Sequence, residues 1–431
     1  MSTTRTRSPS PPLSPHSHSH STSNDQPQSK RQRLNPTSND RKTLPYEKGM
    51  HLAPMVRIGT LPTRLLALEY GAELVWGPEI VDKAIIGSTR TVDPVSGVIS
   101  FTKNNRSIFD CHPLEKPQLI FQLGSADPQL AAQAMKVIEQ DVAGVGLNCG
   151  CPKSFSLQGG MGAALLKDPE RLCAILTALV ESTNLPIDAK IRLLPLPSSS
   201  SPPSTSTLLA EPSASNSSSS STPPDSTSLT PPTLPISSEP TLPLVHQILS
   251  TGISCLTVHC RTQTMRSSEP ALHARLRNLI TELQGSTSIP IVCNGDVLGG
   301  SPEEAGWGNF REVCEETGVE SVMIARAAEA NPSCFRKEGL LDPIEVVIPK
   351  LLRIAITTKN HFSNTKYVLN AINLHSGPTP PGKEKNRDYK LKMNKAKNYG
   401  EMGAIFGIQK EEVEELERGG EAGLKGLLQG W

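Results

Sequence analysis

The sequence predicts a TIM (β/α)8 barrel, and two observations predict it. Eight short apolar runs alternate with helix-like stretches between Met50 and about Ala330, and each run ends in polar or small residues suited to a binding face. The runs are Met50–Val56, Glu73–Trp76, Gln118–Leu123, Val142–Leu147, Ile187–Ile191, Ser254–His259, Pro290–Cys293 and Ser321–Ala325. Most are continuous rather than alternating, as strands buried on both faces are. Helical patterns such as Asp127–Gln140, Asp168–Glu181 and Ser301–Thr317 lie between them. Alternating β and α elements imply a parallel sheet, and eight repeats close into a barrel. A doubly wound open sheet is the alternative that the pattern leaves standing.

The run ends carry the second observation. In order they are Pro54-Met55-Val56-Arg57, Glu79, Gln122, Asn148 with Cys151, Lys190 with Arg192, His259 with Arg261, Asn294-Gly295-Asp296, and Ala325-Arg326. A barrel collects strand ends at one face, where enzymes of this fold place their sites, with phosphate on the loops after strands seven and eight. One such residue is ordinarily a solvated rim residue; eight in register are a site.

The fourth run leads into the most informative loop, Asn148-Cys149-Gly150-Cys151-Pro152-Lys153, followed by Gly159-Gly160-Met161-Gly162-Ala163-Ala164-Leu165-Leu166. Glycine permits unusual backbone angles and proline fixes one, so Cys151 is expected on a shaped loop from which a thiol reaches a substrate. The competing reading is that cysteine is often just a small buried hydrophobe. Cys149 and Cys151 form a Cys-x-Cys pair with no second close pair, so no metal is expected.

Outside the barrel, composition sets the boundaries. Residues 1–44 are mostly Ser, Thr, Pro, His and charge, and residues 195–243 are dominated by Ser, Pro and Thr. Neither stretch carries enough apolar surface to offset its ordering entropy, so a disordered tail and a disordered insert are expected. The barrel then spans 45–340 with the insert inside it, and 341–431 forms a helical C-terminal domain. That domain has helical periodicity from Pro343, a basic stretch from Lys383 to Lys397 and an acidic run from Glu411 to Glu417.

The formal net charge of +1 excludes a global nucleic-acid signature and leaves only local basic surfaces. Nine cysteines at irregular spacing do not make a disulfide framework. No apolar signal core opens the chain and no run reaches membrane-spanning length. A soluble, monomeric, cytoplasmic protein is expected, with Lys30-Arg31-Gln32-Arg33 as a short signal for nuclear entry as well.

The cysteine loop resembles that of the tRNA-dihydrouridine synthase family, which carries Asn-x-Gly-Cys-Pro at the end of the fourth strand of a flavin-binding barrel. The blocks Leu52–Pro62, Asp141–Gly144, Lys190–Pro195, Ala325–Ala328, Asn331–Ser333 and Asn364-Thr365-Lys366-Tyr367 are similar to the eukaryotic branch that acts on position 20 of tRNA. The resemblance covers about 48–194 and 244–370. It implies FMN bound by Pro54, Met55, Val56, Gln122, Asn148, Lys190 and His259, with phosphate on Asn294, Gly295, Asp296, Ala325 and Arg326. It implies Cys151 as proton donor, tRNA as substrate, and NADPH or NADH as a transient reductant, which suits the lack of a glycine-rich dinucleotide motif.

Family usage also points to tRNA binding by Lys153 and Arg261 on the barrel rim and by Lys390, Lys392 and Lys395 in the basic stretch. Cys149 and the long insert depart from the family pattern. A flavin barrel acting on a small pyrimidine, and a non-catalytic tRNA-binding protein, are the competing readings.

Overall fold

Every barrel strand in the computed structural model grows from one of the eight apolar runs. The structure describes residues 43–197, 239–300 and 308–428. In chain order the strands are β1 Gly49–Leu52, β2 Leu74–Trp76, β3 Ile80–Val81, β4 Thr89–Val92, β5 Ile99–Lys103, β6 Arg106–Cys111, β7 Leu119–Gly124, β8 Gly144–Cys149, β9 Ile187–Arg192, β10 Cys255–His259, β11 Ile291–Asn294 and β12 Ser321–Ile324. Nine of them form one parallel sheet in the order β2-β1-β12-β11-β10-β9-β8-β7-β3; β2 also pairs with β7, which closes the first eight into a ring and leaves the two-residue β3 beside β7. The closed barrel replaces the open-sheet alternative.

Inside the ring, Leu74, Trp76, Ile120, Cys255, Val292 and Met323 pack together with Tyr46. A larger apolar shell lies outside, where Ala131, Ala134 and Ile138 of helix Pro128–Ile138 and Leu172, Ile175 and Leu179 of helix Pro169–Ser182 meet the outward strand residues. Both helices start at an aspartate, Asp127 and Asp168, whose carboxylate accepts backbone N–H groups of the first turn.

The inner core has one charged member. Asp188 is fully buried, its Oδ1 accepts from Trp76 Nε1 at 3.3 Å, and burial pushes its carboxyl up to about 7. A Cβ on Gly146 would lie 2.7 Å from both Asp188 oxygens, so glycine is required opposite it.

Two features differ from the expectation. Between the second and third barrel strands the chain builds an antiparallel sheet, β4-β5-β6, that apolar runs did not reveal. Arg90 ties it to the barrel through a two-point ion pair with Asp141 at 2.7 and 2.8 Å. The other is the far boundary of the insert. Most of 195–243 lies outside the described residues, but Glu239 to Pro243 do not, and Leu242 opens a helix running to Ser250.

Glu239 is buried and bonded to the buried guanidinium of Arg275 at 2.6 and 2.9 Å; Arg275 also donates to the Leu194 carbonyl at 2.8 Å. A composition window missed this pin because one charged residue does not alter the average of its Ser/Pro/Thr neighbours.

Helix Ile348–Thr357 opens the C-terminal region and buries Leu351, Leu352, Ile354 and Ala355. Lys350 reaches Glu69 of the barrel helix Leu61–Glu69 at 2.5 Å. Helices Phe362–Ala371, Lys383–Lys395, Tyr399–Ile405 and Lys410–Leu427 follow. The last returns to the extra sheet: Glu421 N–H donates to the Val95 carbonyl at 2.9 Å, and Gly420, at φ +61, would place a Cβ 2.5 Å from that same oxygen. Among the described residues no helix is long and apolar enough to cross a membrane.

Candidate active site

Strand register gathers the polar strand ends into one ring. Asn148 of β8 lies beside Lys190 of β9, Arg192 lies beside His259 of β10, and His259 lies beside Asn294 of β11. Along β9, period-two alternation turns Asp188, Lys190 and Arg192 inward in ascending order from floor to mouth.

Two adjoining cavities sit above the ring and share Arg192 and His259. One, of about 350 Å³, is lined by Pro54, Met55, Val56, Gln122, Asn148, Cys151 and Lys190, with Glu79, Lys153 and Tyr367 at its walls. The other, of about 640 Å³, is lined by Asn294, Gly295, Asp296, Ala325 and Arg326, with Arg261 and Ser267. Both fall in the range of small-molecule sites.

The loop after β8 is held by its own backbone. Strand β8 runs through Asn148 and Cys149, two residues beyond the expected end, so Cys149 is a buried core thiol whose pKa burial raises. Cys151 is half-buried and free. Its carbonyl accepts from Ala163 N–H at 3.0 Å, and a Cβ on Gly162, at φ +59, would sit 2.7 Å from that carbonyl. Arg192 Nε donates to the Gly150 carbonyl at 2.8 Å and its Nη1 to the Thr262 carbonyl at 2.9 Å, which ties the loop to the one after β10.

Asn148 Oδ1 accepts from Gly150 N–H at 3.1 Å, leaving its amide to bond Glu79. Burial raises the Glu79 carboxyl pKa, against Asn148 and Lys153, and its Oε1 is buried without a partner. Gly124 makes the room: a Cβ there would lie 2.7 Å from that oxygen.

Electrostatics divide the mouth by sign and protonation. Desolvation, then Arg192, bring Lys190 down to about 8, so it is charged at neutral pH but only just. Desolvation and a ring of cations, Lys190, Arg192, Arg261 and Arg326, hold His259 far below its ordinary value. Arg261 Nη1 faces His259 Nε2 at 3.4 Å; a guanidinium only donates, so this nitrogen carries the lone pair of a neutral ring. Asp296, at φ +54, accepts from Arg261 Nη2 at 2.6 and 2.7 Å, from Ala271 N–H at 2.7 Å and from Arg326.

Several expected roles are corrected here. Arg261 does not stand on the rim: it is 3% exposed, and Asp296 and the Glu269 carbonyl engage its guanidinium. Lys390 is half-buried and donates to the carbonyls of Asn370 and Ile372, closing the end of helix Phe362–Ala371. Lys392 is exposed and paired with Asp388, while Lys153 and Lys395 are exposed. None of the three basic-stretch lysines lines either cavity.

The sequence pattern placed Glu79 and Arg192 among the strand ends without a specific role, and gave Tyr367 none. Arg192 was legible from its spacing two residues after Lys190. Glu79 was visible only as a polar strand end. Tyr367 comes from the C-terminal region: its ring lies 3.7 Å beneath the Arg57 guanidinium, and Asn364 Nδ2 donates to the Arg57 carbonyl at 2.7 Å, bracing Arg57 at φ +69.

One buried cluster lies behind the larger cavity. Cys260 and Cys293 have their sulfurs 3.7 Å apart, and His273 approaches both. His273 bonds the Gly295 carbonyl at 2.9 Å and Glu316 at 2.8 Å; desolvation opposes its protonation, but Cys293, and after it these two oxygens, raise its pKa to about 9.

Comparison with known proteins places this geometry. The sequence model of the dihydrouridine synthase family matches residues 51–196 and 236–404. A Schizosaccharomyces pombe tRNA-dihydrouridine(20) synthase [NAD(P)+] is 44% identical over 338 residues, covering 76% of this chain and 60% of that protein. The Saccharomyces cerevisiae tRNA-dihydrouridine(20) synthase [NAD(P)+] is 35% identical over 349 residues, covering 76% and 77%. A Schizosaccharomyces pombe tRNA-dihydrouridine(20a/20b) synthase [NAD(P)+] is 27% identical over 296 residues, covering 67% and 69%. The match therefore spans about three fifths of the first of these relatives.

Proposed function

This chain belongs to the dihydrouridine synthase family, and on that premise we propose that it reduces uridine to 5,6-dihydrouridine in tRNA, at position 20 of the D-loop, with FMN as cofactor and NADPH as electron source. The observation that carries the reading is the convergence of Cys151, Asn148, Gln122, Lys190 and His259 around one cavity that opens into an arginine-lined one.

The residues fit FMN. Gly295, at φ +125, leaves its backbone open to a phosphate where a Cβ would press on Ala271 and His259. Arg326 supplies positive charge at the end of β12, in the place where this fold holds phosphate. Lys190 offers a cation beside the cavity for the negative charge of a reduced flavin. Pro54, Met55, Val56 and Gln122 would complete the ring site. FMN, when bound, supplies the hydride that it has itself taken from NADPH.

The rest falls to the chain's own groups. An enclosed mouth admits a uracil only when the base is turned out of its stack. Cys151 gives a proton to C5 as C6 receives the hydride, so the C5=C6 bond is saturated without a covalent intermediate on the enzyme. Lys190 and Arg192 line the same cavity as Cys151, and solvent returns the proton that the thiol has given. Asn148, oriented by Gly150 N–H and Glu79, presents a fixed amide at the same wall.

The test is dihydrouridine mapping in tRNA from a strain lacking this gene, together with the visible spectrum of the purified protein. Loss of dihydrouridine at position 20 alone is expected, with a flavin spectrum. Unchanged tRNA from the deletion strain overturns the reading.

A further inference from the structure

The largest exposed apolar side chain near the mouth has no task in the reaction as derived. Phe155 is 65% exposed, the most exposed large apolar side chain among the described residues. It stands on the short helix Ser154–Gln158, four residues after Cys151 and two after the exposed Lys153. Val56, 56% exposed, and Tyr367, 39% exposed, line the Cys151 cavity, and the Arg57 guanidinium covers the Tyr367 ring. Val56 and Tyr367 thus bring apolar and aromatic surface from two separate elements to one cavity, and Phe155 stands two residues along the chain from Lys153, a cation of its wall. Water gains nothing from that arrangement, but an unpaired nucleotide does: every base has a π face, and every phosphate beside it a negative charge.

Resting on the proposed activity, we infer that Phe155 is a stacking platform for an unpaired base flanking the target uridine. Extruding the target strips its neighbours of a stacking partner, and an exposed ring on the segment that follows Cys151 would replace that partner. The lysine two positions earlier meets the adjoining phosphate. The segment thus joins the proton donor, a cation and an aromatic face in five consecutive residues, Cys151 to Phe155.

The full-length, FMN-loaded enzyme tests this with unmodified tRNA. Phe155→Ala should raise KM and Kd for tRNA by roughly 5- to 100-fold, the range for one stacked base. Flavin content and NADPH-driven flavin reduction should stay as in wild type. The slope of log Kd against log salt should also hold, because no charge is removed. Phe155→Trp should restore tRNA binding and Phe155→Leu, apolar but without a π face, should not.

A Leu variant as good as Trp overturns the inference, as does an Ala variant within twofold of wild type. Loss of flavin in Phe155→Ala overturns it too, by showing a structural role. Wild-type enzyme that forms no dihydrouridine in the same assay removes the proposed activity itself, and the platform with it.

Discussion

The two halves of the barrel mouth are built on opposite rules. On the β11–β12 side charges are compensated: Asp296 joins Arg261 and Arg326, His273 joins Glu316 and the Gly295 carbonyl, and Asn294 Nδ2 donates to the Met323 carbonyl at 2.8 Å. On the β2–β9 side groups are left waiting: Glu79 Oε1 is buried without a partner, Cys151 is only half-buried, and Val56 stands in solvent. A satisfied site suits a ligand that stays, because it needs no rearrangement to hold it. An unsatisfied one suits a ligand that comes and goes, which supplies the missing partners only while bound. The difference fits the phosphate end of the proposed resident cofactor on one side and, on the other, the place where its ring would meet a visiting base.

The sharpest way to break this comparison is at the thiol. Cys151→Ala should lower turnover by about 10²–10⁴, the usual range for a positioned acid, with flavin content and tRNA affinity unchanged. Dihydrouridine formed at a near-normal rate would show that the waiting side is not where the proton comes from.

On the compensated side, Asp296→Ala leaves buried Arg261 without its carboxylate. We expect a loss of about 1–3 kcal/mol in unfolding free energy, read from denaturant melts, discounted because Asp296 is a third exposed. An anion should substitute for the missing carboxylate, so added FMN should stabilise this variant more than wild type. Equal stabilisation of both would mean that Asp296 does not set the charge of this cavity.

Glu79 sharpens the comparison by pH. Its carboxyl pKa is raised by burial, so as pH falls it protonates earlier than an ordinary glutamate and the acceptor oxygen is lost from that point downward. Glu79→Gln should cost roughly tenfold in kcat/KM and flatten the acid limb of the pH profile. An acid limb that survives in the Gln variant belongs to another group.

The smallest effect is at the edge of both halves. Reversing the exposed charges of Lys153 and Lys395 together should reduce the salt slope of tRNA binding, by roughly one unit for each phosphate that is no longer neutralised. Reversing Lys390 should instead destabilise the C-terminal helices, since its ammonium is bonded to the Asn370 and Ile372 carbonyls. Titrating tRNA at several salt concentrations, alongside thermal melts, separates the two.

These residues also show where the sequence was readable. The barrel strands announce themselves because strands buried on both faces must be apolar throughout, and Ile187–Ile191 or Ser321–Ala325 have few other uses. The sheet β4-β5-β6 was silent because all of Thr89–Val92 is exposed, and the buried Ile99, Phe101, Phe109 and Cys111 of its other strands are separated by polar residues rather than joined in an apolar run. Cys151, Asn148 and Lys190 stand out because strand ends need no polar residue for folding. Arg261 misled because its partner Asp296 is 35 positions away, and an arginine destined for burial looks the same in sequence as one destined for solvent.

One guanidinium has a reach beyond the site. Arg275 bonds the Leu194 carbonyl where the chain leaves the barrel and Glu239 where it returns, and Thr241 Oγ1 accepts from Leu194 N–H at 3.1 Å. The ring is thereby fastened below the point at which residues 198–238 depart. Cutting the peptide chain within that stretch would leave two fragments still laced together by the barrel, so this is the natural place to divide the protein into complementing halves or to graft a second module.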